Sequence, residues 1–218
     1  MTEPTYLVET RASYDTVAVD YAKIVEPILA KTPLDRAMLA AFAELVLTSG
    51  GGQVADLGCG PGRVTSHLRD LGLSAFGIDL SPGMIEVARR THPELRFSVG
   101  SISALDLKDG ELAGIVAWYS IIHTPPALLP VAFAEFHRTL APGGHLLLAF
   151  QVGDERNRLE QAYGHTVSLD AYRLPPDHIA ELLGQAGFIE AARMVREPGE
   201  MEKRPQAFLL ARKPAAES

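Results

Sequence analysis

Cys59 is the only cysteine in 218 residues, which excludes an intrachain disulfide and any metal site built from several thiolates. Long apolar runs are missing as well. No stretch approaches the ~18 residues of a membrane-spanning helix, and the opening Met-Thr-Glu-Pro-Thr-Tyr lacks the basic-then-apolar order of a secretory leader; a cytoplasmic location is the expectation. Basic residues are in deficit, 20 Lys and Arg against 27 Asp and Glu for a net charge of −7, and those present are scattered. Phosphate backbones are bound by clustered Lys and Arg, so neither a nucleic-acid nor a membrane partner is expected. No Gly-Lys-Ser/Thr follows a glycine loop, which removes the P-loop. Nothing repeats internally, and low complexity is confined to the tail from Lys213 to Ser218.

What is present begins with Val54-Ala55-Asp56-Leu57-Gly58-Cys59-Gly60-Pro61-Gly62. Apolar residues run into an acid, then glycines alternate, and a helix-like stretch from Arg63 to Leu71 follows. Glycines at this density let the backbone turn sharply and approach a ligand closely. Strand, glycine loop and helix in that order open a doubly wound sheet, whose ligands bind at the carboxyl ends of the strands. A dinucleotide loop spaces its glycines Gly-x-Gly-x-x-Gly and rests pyrophosphate on the helix N-terminus. Here the last glycine comes one residue early, and Asp56 would repel a pyrophosphate. The charge suits a ligand with a cationic part and no phosphate, such as S-adenosylmethionine (SAM). Ser74 to Asp79 reads as a second strand ending in an acid about 20 residues beyond the loop, where such folds place a ribose-binding carboxylate. Ser81-Pro82 supplies an N-cap and first-turn proline for the next helix, with Met84, Val87 and Ala88 facing inward.

On these residues the chain resembles the class I SAM-dependent methyltransferases, in their small-molecule branch. The likeness extends through Phe97 to Leu105, Ala113 to His123, and Leu140-Ala141-Pro142-Gly143-Gly144-His145-Leu146, five segments in the family's order. It implies an α/β, Rossmann-like seven-stranded sheet of order 3-2-1-4-5-7-6 with strand 7 antiparallel, helices on both faces and an N-terminal helical lid. The whole chain, residues 1–218, then forms one domain: 1–47 the lid, 48–152 the cofactor-binding core, 153–174 a substrate-side insertion, and 175–213 the last helix and strands.

The resemblance also implies roles. Asp79 would hold the ribose, Ser101 and Ile102 would frame adenine, Asp56, Gly58, Cys59, Gly60 and Gly62 would cradle the methionine part, the Trp118 carbonyl would meet its ammonium, and Leu80 and Met84 would be further cofactor contacts. Arg63, Tyr14 or Tyr21 would meet its carboxylate; Tyr14 and Tyr21 lie on a helical face from Tyr6 to Ile28 that equally suits packing on the sheet edge. Cys59 fits a small packed residue under the loop better than a nucleophile. Tyr119, His123, Tyr163, His165 and Tyr172 are the candidate substrate contacts. His123 is the candidate catalytic base, with an orienting or core role as the alternative. No Asp/Asn-Pro-Pro-Tyr/Phe stands near Trp118-Tyr119-Ser120, and no carboxylates gather there to hold magnesium, so no metal is expected. The expected activity is in-line transfer of the SAM methyl group to O or N of a small, ring-bearing metabolite, leaving S-adenosylhomocysteine. The competing readings are a SAM-binding partner subunit without transfer, and an NAD-dependent oxidoreductase.

Overall fold

The computed structural model describes residues 3–199 and 202–215. Its main sheet is formed by β1 (Gln53–Leu57), β2 (Ser74–Asp79), β3 (Phe97–Val99), β4 (Leu112–Trp118), β5 (Leu140–Gln151), and two late strands numbered β8 (Ile189–Arg196) and β9 (Gln206–Arg212) because a hairpin intervenes. The order is β3-β2-β1-β4-β5-β9-β8, parallel as far as β5, with β9 antiparallel to both its neighbours. This is the expected 3-2-1-4-5-7-6 sheet, its last two members being the final hairpin.

The central strands read as near-continuous apolar runs because helices cover both faces. On one face α3 (Pro33–Thr48) and α4 (Arg63–Asp70) pack Leu39, Phe42, Val46 and Leu68 against Val54 and Val116. On the other, α6 (Leu129–Thr139) and α7 (Pro176–Gln185) pack Phe133, Phe136, Ile179 and Leu183 against Ile115, Leu146 and Leu148. Each such side chain contributes about 1.5–3 kcal/mol by leaving water.

The N-terminal run forms α1 (Thr5–Val25), which stops short of Pro27, and a single further turn, α2 (Ile28–Lys31). Thr32, which with Pro33 and Asp35 has the residue types of a helix start, does not cap α3 but donates its hydroxyl back to the carbonyls of Ile28 and Leu29. The first-turn acid, Asp35, is drawn into an ion pair with Arg196 at 2.9 Å. Ser81 does cap α5 (Pro82–Thr91), accepting from the Met84 N–H at 3.0 Å.

Residues 153–174, expected as a substrate-side insertion, contain a hairpin of β6 (Arg156–Ala162) and β7 (His165–Tyr172). The turn residues Tyr163 and Gly164 both have positive φ, 53° and 84°, as tight hairpins demand. Polar side chains dominate β6, so its two-residue period carries little signal. An isolated hairpin is marginally stable; Val167 and Leu169 gain their burial against Val17 and Ala18 of α1 and Met84 and Val87 of α5. Polar ties add to that packing. Ser13 exchanges hydrogen bonds with the Ser168 backbone, Arg158 grips Glu9, and Asp15 accepts from the Ser81 hydroxyl and the Gly83 N–H.

Candidate functional site

The carboxyl ends of β1, β2 and β4 open into a cavity roofed by α1, a concave place of the kind that small-ligand sites occupy in open α/β sheets. A smaller adjoining space shares Tyr21, Gly58, Gly60 and Trp118 with it. The loop after β1 reaches this place because Gly58 and Gly62 adopt φ of 72° and 87°. A Cβ at Gly58 would stand 2.2 Å from Ser120 Cβ, and one at Gly62 would meet the Phe97 ring at 2.7 Å. Only glycine satisfies both the conformation and the contact.

Two buried carboxylates dominate the electrostatics. Asp56, at the end of β1, accepts from the Thr65 hydroxyl at 2.6 Å through Oδ2, while Oδ1 has no hydrogen-bond partner. Burial, only partly offset by Thr65 and the nearby Arg63 charge, pushes its pKa up to about 7. Asp79, at the end of β2, receives the Gly60 N–H on Oδ2 and the Ser81 N–H on Oδ1, each at 2.8 Å. Burial outweighs those two bonds and raises its pKa to about 6. Among the described residues neither carboxylate forms a salt bridge with a protein cation.

Across the cavity, the His123 ring is held at both nitrogens. Nδ1 lies 2.7 Å from the Asp170 carbonyl oxygen of β7, and Nε2 lies 2.7 Å from the Tyr14 hydroxyl of α1. A carbonyl only accepts, so Nδ1 carries the hydrogen, and in the neutral ring Nε2 accepts from Tyr14. Burial lowers the pKa of the imidazole and raises that of the phenol. Tyr14 meets Tyr21 edge-on at 5.8 Å, and Tyr21 meets Tyr163 in the same way at 5.1 Å. Trp118 is buried against Phe208. Tyr119 sits at φ 57° with its hydroxyl buried and unpartnered.

Of the residues singled out from sequence, Tyr14, Tyr21, Gly58, Gly60, Asp79, Leu80, Ser101, Ile102, Trp118, Tyr119 and His123 line the main cavity, and Asp56, Cys59 and Arg63 the adjoining one. Five are elsewhere, contrary to their expected positions. Gly62 lies behind the loop at the start of α4; Met84 is enclosed between α5, α1 and the hairpin. Tyr163 stands behind Tyr21, His165 is bound to Asp20 at 3.0 Å, and Tyr172 packs against the main core. The Cys59 thiol is buried with Ile85, Ala88 and Phe97, and burial pushes its pKa well up, which favours packing over nucleophilic chemistry.

Sequence reading missed Tyr6, Leu7, Thr10, Arg11, Ser81, Ser120 and Thr124 in the main wall. Running the Tyr14–Tyr21 face backwards by helical steps of three, four and seven reaches Arg11, Thr10 and Leu7, so that signal was available. Ser120 Oγ is a further buried polar atom without a partner. Among the described residues no three His, Cys, Asp or Glu side chains converge as a metal requires, and no helix is long and apolar enough to cross a membrane.

The geometry fits a ligand that joins a positive charge to a polar sugar: Asp56 Oδ1 and Ser120 Oγ lack partners, and the two carboxylates form no salt bridge among the described residues. Residues 54–144 match the family model described as a methyltransferase domain. Over 144 residues the chain is 35% identical to the trans-aconitate 2-methyltransferase of Delftia acidovorans, an alignment covering 63% of this chain and 49% of that one. The chain spans about half the length of the curated relatives it matches. Among solved structures it superposes on the cyclase SpnF with a TM-score of 0.75, 18% identity and 99% coverage of each chain. On the Burkholderia thailandensis 1,6-didemethyltoxoflavin-N1-methyltransferase, solved with 1,6-didemethyltoxoflavin and S-adenosylhomocysteine, the TM-score is 0.71 at 20% identity, covering 98% of this chain and 92% of that one. At those identities the structural likeness speaks for the fold.

Proposed function

We propose, on the premise that this chain is a member of the class I SAM-dependent methyltransferase family, that it moves the SAM methyl group to an oxygen or nitrogen atom of a small, ring-bearing molecule. The observation that carries the reading is the pair Asp56 and Asp79, two buried carboxylates that form no salt bridge among the described residues, Arg63 acting on Asp56 only from a distance. Ionised carboxylates in such surroundings are costly unless a cation joins them. A sulfonium and an ammonium supply that charge, whereas a dinucleotide pyrophosphate would add to the repulsion.

SAM when bound supplies a methyl group on positively charged sulfur. The chain's own residues bind and align. Asp79, oriented by the Gly60 and Ser81 N–H groups, takes the ribose hydroxyls, and Ser101 and Ile102 flank adenine. Asp56, Ser120 and the Trp118 carbonyl serve the ammonium, Arg63 the carboxylate, and the Gly58–Gly60 backbone the chain between. Tyr14, Tyr21 and Tyr119 border the acceptor, with His123 behind Tyr14. Holding acceptor, methyl carbon and sulfur in line supplies much of the acceleration.

Calorimetric titration with SAM and NAD, followed by transfer of labelled methyl to a panel of ring-bearing hydroxyl and amine acceptors, tests this. SAM binding without NAD binding, together with label transfer, is the expected result; NAD binding alone sinks the reading. The residues gathered around the cavity argue in themselves only for binding, which leaves one second reading, a protein that holds SAM without transferring its methyl group. Tight SAM binding with no label transferred across the panel would select it.

A further inference from the structure

We infer that Tyr14 and His123 form a proton relay serving the methylated atom, and that the acceptor is accordingly a neutral molecule that gives up an O–H or ring N–H proton, not a carboxylate. The inference rests on the methyl-transfer reading above. The Asp170 carbonyl fixes hydrogen on Nδ1, and the remaining ring lone pair, on Nε2, is taken by the Tyr14 hydroxyl at 2.7 Å. A proton leaving the acceptor therefore reaches the imidazole through the phenol. Both side chains border the cavity, so the Tyr14 oxygen is the basic atom offered to the acceptor.

The step balances without a further reactant. The acceptor X–H gives its proton to Tyr14 Oη as the Tyr14 proton passes to His123 Nε2. The freed lone pair on X forms the bond to the methyl carbon, and the carbon–sulfur bond breaks with its electron pair kept by sulfur. The positive charge passes from sulfur to the imidazolium, so the cavity never holds an additional cation. Groups acting on the pair are Tyr21 from α1, Tyr163 from the hairpin turn and Asp79 from β2, with Asp170 from β7, which Arg156 and Arg158 neutralise. Burial holds the ring neutral and the phenol protonated before reaction, the state from which the relay starts.

A carboxylate acceptor fits poorly. It is already deprotonated near neutrality, so the relay would be idle, and it needs a cation. Arg11 brings the one guanidinium to the main cavity wall among the described residues, and its nitrogens are engaged by Glu3 and the Leu80 carbonyl.

The test uses histidine-labelled protein, SAM, and two acceptor sets: catechol, hydroxyquinoline and imidazole against trans-aconitate and malonate. Nitrogen NMR is expected to find His123 in the Nδ1–H form, and Tyr14→Phe to raise its pKa, because a donor that favours neutral Nε2 is gone. Protic acceptors are expected to be methylated, with turnover lowered about 100-fold in Tyr14→Phe and His123→Asn while calorimetric SAM affinity changes far less. An Nε2–H tautomer, an unchanged His123 titration in Tyr14→Phe, or methylation confined to the carboxylates overturns the relay. Failure of wild-type protein to bind SAM, with the Nδ1–H form intact, overturns the methyl-transfer reading and the relay with it.

Discussion

The backbone N–H of Gly60 donates to Asp79 Oδ2 at 2.8 Å, across 19 residues of chain. This bond ties the glycine loop after β1 to the end of β2, and with the Ser81 N–H on the other oxygen it aims the carboxylate before any ligand arrives. An acid so oriented loses little further freedom on binding, which is how preorganisation yields affinity.

Replacing Asp79→Ala should therefore weaken SAM by about 2–4 kcal/mol, the loss of charge-assisted hydrogen bonds to two hydroxyls. The variant should stay folded but melt at a lower temperature, since the released Ser81 N–H is buried and loses its partner. Calorimetry showing wild-type affinity would remove Asp79 from the ribose role.

Acidity gives a second expectation. Asp56 and Asp79 have folded pKa values of about 7 and about 6, above the ~3.9 of an unfolded Asp. Folding therefore holds their protons more tightly, and the ligand-free protein gains stability from them that is full below pH ~4 and is lost as pH rises through 6 to 7. SAM demands the ionised forms, so its affinity should rise over that same interval, with proton release on binding. Calorimetry in buffers of different ionisation enthalpy at pH 5.5 and pH 7.5, two conditions bracketing the ~1-unit-wide titrations, measures both; affinity flat across them would refute the assignment.

Gly58→Ala should abolish SAM binding and lower stability by about 1–3 kcal/mol, because its Cβ would enter Ser120 at 2.2 Å and its φ is 72°. Adding Ser120→Gly should recover part of the stability by removing the clash while leaving the backbone strain. Equal melting temperatures for the single and double variants would place the cost wholly in the backbone.

Arg196 lies between Asp35 at 2.9 Å and Glu202, with side-chain exposures of 10% for the arginine and 5% for Asp35. Arg196→Leu should cost about 3–5 kcal/mol by leaving a buried carboxylate unpaired; Asp35→Asn in that background should return part of it. Urea unfolding of both variants decides the matter, and additive losses would dismiss the pairing.

The sheet and the cavity floor were legible because their determinants are local: an apolar run, an acid, glycines at fixed spacing, Ser81-Pro82 before a helix. The roof was less so. Thr10 and Arg11 follow from the Tyr14–Tyr21 face by helical spacing, whereas the contact of Asp15 with Ser81 and Gly83 depends on how α1 lies across α5, a long-range relationship no spacing encodes. The hairpin escaped notice because Arg156 to Ala162 alternates weakly and Tyr163-Gly164 is not a strong turn pair. His165 and Tyr172 were assigned to the substrate from their place in the 153–174 insertion, whereas the hairpin register turns one to Asp20 and the other to the core. Thr32 had the chemistry of a cap, but the α2 carbonyls behind it were nearer.

The fastening of α1 along both of its margins has a mechanical consequence. Asp15 stitches it to α5, while Glu9 and Ser13 stitch it to the hairpin. A helix stitched on either side is held as a whole over the cavity, so a change that loosens one margin leaves the other still fastened.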